Sequence, residues 1–166
     1  MGYTCEVCGR FHDDELRDVR AGLPEEIFEL TEEERGRRAW IDPGGDFATL
    51  DGNRCFVRAL IEVPLSLEDD RFGWGVWVRV GSDDADELIE RWVDPEACGR
   101  TYPGLLATDL PAYGATVDEP GMLRLGPVDA LPSFELDDPR HPLAIEQRAG
   151  ISLGRARELA EPYRQA

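Results

Sequence analysis

The chain of 166 residues contains no lysine, and all 18 of its basic residues are arginine. This absence excludes a P-loop lysine, a Schiff-base lysine and a lysine general base. Serine and histidine are scarce, with four serines and two histidines in the whole chain. No serine lies in a G-x-S-x-G motif, so the chain offers little material for a Ser-His-Asp triad.

Basic residues are also few in comparison with acidic residues. Aspartate and glutamate total 35, which gives a formal net charge of -17 at pH 7. Such a surface repels phosphate backbones and anionic lipids, so we expect no nucleic acid and no membrane as partner. A basic protein partner, or a charge that serves solubility alone, is favoured instead. The sequence shows neither an apolar run that could span a bilayer nor the pattern of a signal peptide, so we expect a cytoplasmic protein.

The hydrophobic content and the length indicate how the chain is organised into domains. Hydrophobic residues make up 42% of the sequence, and four residues are tryptophan. This content is sufficient for a packed interior and argues against wholesale disorder. Because the length fits one domain, we expect residues 1–166 to form a single domain, with a small zinc-knuckle segment appended at 1–12.

Cysteine is sparse, but two of the four cysteines lie close together in a C-x-x-C-G motif at 5–9. This motif is typical of a zinc knuckle, since two thiolates can converge on one metal above a tight turn. The pattern predicts a structural zinc ion held by Cys5, Cys8 and the nearby His12. A closed zinc site needs four ligands, and no second C-x-x-C is present. The remaining ligand candidates are His141, or Cys55 and Cys98 together.

Two other interpretations of this motif stay open. A C-x-x-C can be a thiol redox pair, which usually lies at a helix start after a strand, whereas this motif begins the chain. The two thiols can also be chemically inert. A disulfide framework is not expected, because four cysteines in a chain of this length without a secretion signal do not suggest one.

The segment 71–80 shows a strict alternation that predicts a central β-strand. One face is large and apolar, with Phe72, Trp74, Val76, Val78 and Val80. The opposite face has Gly73, Gly75, Trp77 and Arg79. Glycines within a strand usually mark a β-bulge or a close approach to the backbone. We expect a bulge here, with a ligand site as the alternative.

A hairpin is predicted immediately before this strand. The segment 46–64 contains two strand patterns joined by turn residues at 51–53. If the longer strand pairs with 71–80, one surface of the sheet carries Arg58, Glu62, Trp77 and Arg79 above Gly73 and Gly75. This set can hold a small polar ligand or the loop of a partner. A cross-strand charge pair on a solvated face is the alternative interpretation.

Helical patterns flank these strands on both sides. Residues 13–45 are polar and mostly helical in pattern, and they include a capping box at Thr31 and Glu34. Residues 82–94 have the apolar stripe of an amphipathic helix. The end of the chain, from His141 onward, is also predicted to be helical.

The segment 95–120 is rich in proline and glycine, and we expect it to form an irregular, packed loop that is a weak site candidate. Short strands are predicted near 122–125 and 133–136. The expected fold class is therefore α+β. It comprises a mainly antiparallel sheet built on residues 46–80 and 121–136 and packed with helices.

Three motifs occur in order along the chain. They are C-x-x-C-G-x-x-H at 5–12, F-G-W-G-V-W at 72–77 and H-P-L-A-x-x-Q-R at 141–148. Together they resemble a bacterial family of small uncharacterised proteins, a domain of unknown function, over nearly the whole chain. The resemblance does not imply any particular activity. It implies that one recurring design includes Cys5, Cys8, His12 and His141, and that Cys55 and Cys98 stand outside it.

The sequence favours a non-enzymatic, zinc-stabilised acidic binding protein for a basic protein partner. One alternative is a zinc-dependent hydrolase, with Glu62 or Glu146 as base beside an open zinc position. A second alternative is a C-x-x-C thiol redox protein, which needs an activated thiolate at Cys5. The sequence contains neither an H-E-x-x-H motif nor the paired motifs of a zinc deaminase.

Overall fold

The computed structural model describes residues 3–4, 11–12, 18–66 and 70–163. The strands are β1 (Tyr3–Thr4), β2 (Phe11–His12), β3 (Asp18–Arg20), β4 (Ala39–Ile41), β5 (Phe47–Leu50), β6 (Arg54–Pro64), β7 (Arg71–Val80), β8 (Thr101–Leu106), β9 (Pro120–Arg124) and β10 (Ser133–Leu136). The α-helices are α1 (Glu25–Phe28), α2 (Glu32–Arg38), α3 (Ser82–Arg91), α4 (Pro142–Ala149) and α5 (Leu153–Ala160). Short 3-10 helices lie at Pro95–Ala97, Pro111–Tyr113 and Glu161–Tyr163.

Strands β6 and β7 form the central ladder of the sheet. They pair antiparallel and one to one, from Cys55 opposite Val80 to Pro64 opposite Arg71. The predicted hairpin and the central strand are confirmed, whereas the predicted bulge is wrong, because every described residue of this ladder has a partner. Strand β3 runs parallel to β7 beside 73–75. The two glycines therefore lie where a further strand joins the sheet.

Five strands close into a barrel in the order β6, β7, β8, β9 and β10. Neighbours in the barrel are antiparallel except at the closure, where β10 pairs in parallel with β6 through Ser133 and Leu60. Strands β5 and β4 extend the sheet beyond β6, and β3 extends it beyond β7. The expected combination of helices with a mainly antiparallel sheet is confirmed, and the barrel closure is an addition to it.

Two segments differ from the sequence-based prediction. Residues 95–120 were expected to be irregular, but they include β8, which pairs with both β7 and β9. Gly104 suits this strand because a Cβ atom there would collide with the Val78 side chain. Residues 13–45 were expected to be helical, but they contain β3 and β4 besides α1 and α2. Proline and glycine obscure the strand pattern in 95–120. In 13–45, β3 and β4 are too short to show a strand period.

One face of all five barrel strands contributes to the main hydrophobic cluster, which we call the barrel core. Apolar residues of α3, α4 and α5 pack into the same cluster. Its largest buried side chains include Phe72, Trp74 and Phe134. The packing is tight at Gly121, where an added Cβ would meet the Glu135 carbonyl and the Phe134 ring.

The opposite face of β6 and β7 carries a second cluster, which we call the small core. Its buried members are Ile27, Ala48, Leu50, Phe56, Trp77 and Ala107. Partly buried apolar residues from the segment 21–41 pack against it. The Glu25 N–H donates to the Ala107 carbonyl at 2.8 Å, which fixes α1 over this face. The face that the sequence presented as a surface is therefore covered.

Side-chain caps define several helix starts. The capping box predicted at Thr31 and Glu34 is confirmed, with reciprocal bonds at the start of α2. His141 caps α4 by accepting the Leu143 N–H, and Ser152 caps α5. Helix α3 differs, because its N-cap residue is a glycine and no side chain caps it within the described residues.

Candidate functional site

The strand register brings the predicted surface residues onto one face. Arg58 lies opposite Trp77, and Glu62 lies opposite Gly73. Because side chains alternate along a strand, Arg79 shares this face with Trp77. The spatial grouping thus follows the pairing predicted from the sequence.

Arg58 and Trp77 form a buried pair at the centre of this face, with 4% and 1% of their surfaces exposed. The Arg58 guanidinium lies over the indole ring, 4.6 Å from its centroid, in a cation–π arrangement. Its Nε donates to the Gly45 carbonyl at 3.0 Å, and its Nη1 donates to the Ala21 carbonyl at 3.1 Å. Each of these contacts is intramolecular.

The electrostatics of this pair follow from its burial. Loss of hydration and, to a smaller extent, the neighbouring charge of Arg20 lower the pKa of Arg58 to about 10, and Asp46 opposes the shift. Burial likewise raises the pKa of Asp46, and the nearby Asp42 adds to that effect. The guanidinium still carries its charge at neutral pH. The small core therefore contains a buried cation.

The charged residues at the edge of this face are held by ion pairs. Glu62 pairs with Arg71, and Arg79 donates to Glu26 at 2.9 Å. Gly73 is buried, as is Gly75. The described structure thus divides the predicted set into a buried cation–aromatic pair and two peripheral ion pairs.

The cysteines of the predicted zinc knuckle, Cys5 and Cys8, lie outside the described residues, and His12 is described only as part of β2. Among the residues that are described, no group of three or more His, Cys, Asp or Glu side chains is placed to hold a metal. Cys55 is half-buried and Cys98 is exposed, and both are free thiols. Zinc ligation at the start of the chain stays a prediction.

The other candidate ligand, His141, uses both ring nitrogens for backbone contacts. Nδ1 accepts the Leu143 N–H at 3.2 Å, and Nε2 lies 3.1 Å from the Ala115 carbonyl. Because Nδ1 is an acceptor, the proton belongs on Nε2, which donates to the carbonyl. To ligate zinc, His141 must give up one of these two contacts.

A polar network that the sequence did not predict surrounds Glu146, the suggested alternative base. The Tyr113 O–H donates to its Oε2 at 2.6 Å, and Arg155 Nε donates to its Oε1 at 2.9 Å. The Trp74 indole N–H donates to the Tyr113 oxygen at 3.2 Å. Burial raises the pKa of Tyr113, and the bond to Glu146 raises it further. Since these residues lie far apart in the sequence, no spacing pattern could have found them.

The outer face of α3 combines acidic and aliphatic side chains. Ile89 is 53% exposed and Val93 is 74% exposed, one helical turn apart. Asp83, Asp86 and Glu90 are exposed beside them. At the spacing of an α-helix these five positions share one side of α3 and its C-terminal extension. The sequence assigned this helix only an inward apolar stripe.

The fold defines an α+β protein built on a small, mainly antiparallel barrel. A family model described as an uncharacterized protein conserved in bacteria (DUF2199) matches residues 4–151, and the chain belongs to this family. The resemblance stated from the sequence is thereby confirmed. No curated protein and no solved structure matches the chain. Within its described residues, no helix combines the length and the apolar character needed to cross a membrane.

Proposed function

We propose that the protein is a non-enzymatic binding protein that engages a basic protein, and that the outer face of α3 makes the contact. The observation that carries this proposal is the exposed aliphatic pair Ile89 and Val93 beside Asp83, Asp86 and Glu90. Interfaces commonly combine a small apolar centre with a charged rim that steers the partner. The net charge of -17 strengthens that steering for a basic partner.

Two groups of carboxylates on α3 and its C-terminal extension differ in their partners. Glu87 pairs with Arg100 and Asp94 pairs with Arg91, so internal cations neutralise these two. Asp83, Asp86 and Glu90 form no ion pair within the described part of the chain. The second group is therefore available to pair with arginine or lysine side chains of another protein.

The glutamates suggested as catalytic bases give less support to an enzyme. Glu62 is paired with Arg71, and both carboxylate oxygens of Glu146 accept hydrogen bonds. A general base must reach a substrate proton, and in both glutamates the carboxylate is already engaged by donors of the protein itself. These contacts favour the binding role.

Zinc remains part of this proposal as a structural element. Cys5, Cys8 and His12 supply three ligands of the expected type, with His141 as the candidate fourth. Elemental analysis of anaerobically purified protein tests the site, and we expect one zinc per chain that the Cys8→Ser variant loses. Metal-free wild-type protein would contradict it.

The His141→Asn variant tests whether His141 is the fourth zinc ligand, because asparagine can still cap α4. Retained zinc assigns His141 to the cap, and lost zinc assigns it to the metal.

The partner is sought by immobilising the protein and identifying the bacterial proteins that it captures. The decisive measurement is the Kd of the purified partner at low and at high salt. We expect binding to weaken by about tenfold or more from 0.05 to 0.3 M NaCl, because charge complementarity dominates the contact.

A matched pair of variants locates the surface. The triple variant Asp83→Asn, Asp86→Asn and Glu90→Gln removes three charges from α3, and we expect it to weaken binding strongly. The control variant Glu32→Gln, Glu33→Gln and Asp129→Asn removes the same charge from exposed positions elsewhere and should bind nearly as the wild type does. Equal loss in both variants, or binding that ignores salt, would overturn the assignment.

A further inference from the structure

A groove of about 400 Å³ opens at one end of the barrel, beside the start of α3. This volume lies within the usual range for small-molecule sites, about 300–1,000 Å³. Apolar walls come from Pro103 and Leu105 of β8 and from Pro120 of β9. Arg54 and Arg79 line the same groove. A protein with a net charge of -17 thus places two cations in one apolar recess.

The two arginines already hold one carboxylate group of the protein itself. Arg79 Nη1 donates to Glu26 Oε1 at 2.9 Å, and Arg54 Nη1 donates to Glu26 Oε2 at 2.9 Å. Their spacing therefore matches the two oxygens of a carboxylate. Glu26 does not line the groove. The Nε and Nη2 groups of both arginines donate no hydrogen bond within the described residues, so further donors remain for a ligand.

The start of α3 borders the same recess. Gly81 and Ser82 line the groove, and no side chain caps this helix within the described part of the chain. The first backbone N–H groups of a helix carry partial positive charge and favour an anion. Asp83 and Asp84 of the first turn do not line the groove, and Asp137 is the acidic residue that does.

We propose that this groove binds a small organic carboxylate with an apolar body, a role separate from the proposed contact with a basic protein. The carboxylate lies against Arg54 and Arg79, and the body lies between Pro103, Leu105 and Pro120. The ligand is small because the overall negative charge of the protein repels polyanions. Glu26 orients the two guanidinium groups and partly neutralises them.

Benzoate is a suitable probe, with benzamide as its uncharged counterpart of the same shape. We expect saturable amide shifts around the groove in NMR titrations with benzoate, with a Kd on the order of 1 mM for a ligand of this size. The Arg79→Gln variant should bind benzoate about tenfold more weakly, because it loses one charge-assisted donor. The Glu26→Gln variant should bind about threefold more tightly, because it removes a like charge near the ligand.

The matched control is Arg91→Gln, which removes an ion-paired arginine from outside the groove and should leave benzoate binding unchanged. If Arg79→Gln fails to fold, Arg54→Gln serves instead, because Arg54 lies at the exposed start of β6. The proposal is overturned if benzoate gives no saturable shifts, if benzamide binds equally well, or if the arginine variants bind as the wild type does.

Discussion

The barrel core and the small core lie on opposite faces of the same two strands, yet they accommodate a buried tryptophan differently. In the barrel core, Trp74 donates its indole N–H to Tyr113, which donates in turn to Glu146. In the small core, Trp77 lies under the Arg58 guanidinium, and its indole nitrogen has no hydrogen-bond partner within the described residues. The barrel core gives its tryptophan a hydrogen-bond partner, and the small core places a charge over its tryptophan.

The covering segments explain this difference. Three helices cover the barrel core, and a helix satisfies most of its own backbone groups. The small core is covered mainly by the segment 21–41, and two carbonyl groups outside helices and strands, those of Ala21 and Gly45, face it. Arg58 donates to the carbonyls of Ala21 and Gly45 and thus replaces the water that these groups lose on burial. Backbone carbonyl groups that are buried outside helices and strands therefore require a polar side chain beside them.

The largest effect on this comparison is expected from Gly121→Ala in the barrel core. The added methyl group would collide with the Glu135 carbonyl and the Phe134 ring, and we expect the free energy of unfolding to fall by about 3 kcal/mol. The control is Gly36→Ala in α2, where nothing lies within 4 Å of the added Cβ. That variant should gain about 0.5–1 kcal/mol. Urea unfolding measures both, and equal stability of the two variants would contradict the packing described here.

The next largest effect concerns the buried cation of the small core. Arg58→Ala leaves the Ala21 and Gly45 carbonyls without their donor, and we expect a loss of about 2 kcal/mol in unfolding free energy. Arg37→Ala is the control, because Arg37 is exposed and makes no ion pair within the described residues. It should change stability by less than about 0.5 kcal/mol. Similar values for both variants would show that the small core does not depend on this cation.

A pair of Trp→Phe variants compares the two cores directly. Both changes remove a similar volume, but Trp74→Phe also breaks the bond to Tyr113, whereas Trp77→Phe removes a donor without a described partner. We expect Trp74→Phe to lower the unfolding free energy by about 1 kcal/mol more than Trp77→Phe does. Denaturant unfolding monitored by far-UV circular dichroism measures the difference. A larger loss of unfolding free energy in Trp77→Phe would show that the contacts of Trp77 in the small core stabilise the protein more than the bond from Trp74 to Tyr113 does.

The smallest effect is a dependence on alkaline pH. Burial raises the pKa of Tyr113 in the folded state, so the unfolded chain loses this phenolic proton first. The contribution of Tyr113 to stability is therefore complete below the ordinary tyrosine pKa of about 10, and it is lost as the pH rises further. Unfolding free energies at pH 8 and pH 10.5 should differ less in Tyr113→Phe than in the wild type. An unchanged difference would rule out this origin.

Much of the β-sheet could be predicted because its signals are local. The alternation in 71–80 and the turn residues at 51–53 each determine an element from a few neighbouring residues, and the shared face of β6 and β7 followed from pairing the two strands. The capping box at Thr31 and Glu34 is local in the same way. The structure confirms all of these elements.

The barrel closure and the covered face could not be predicted, because both depend on contacts between distant segments. The closure rests on one parallel pair, Ser133 with Leu60, which leaves no periodic signal in either strand. The alternation placed Arg58 and Trp77 on one face correctly. It could not show that the segment 21–41 lies over them, so a surface was predicted where the structure has a core.

The pairing of β10 with β6 has a consequence for how the barrel assembles. Strands β6 and β7 are neighbours in sequence and share a long ladder, so their hairpin pays a small loop-closure cost and can form early. The closure at Ser133 and Leu60 joins distant parts of the chain with few backbone bonds. We expect this joint to form last during folding and to open first in the native state. Transient openings of the barrel would then expose the edges of β6 and β10, where hydrogen exchange should be fastest within the barrel.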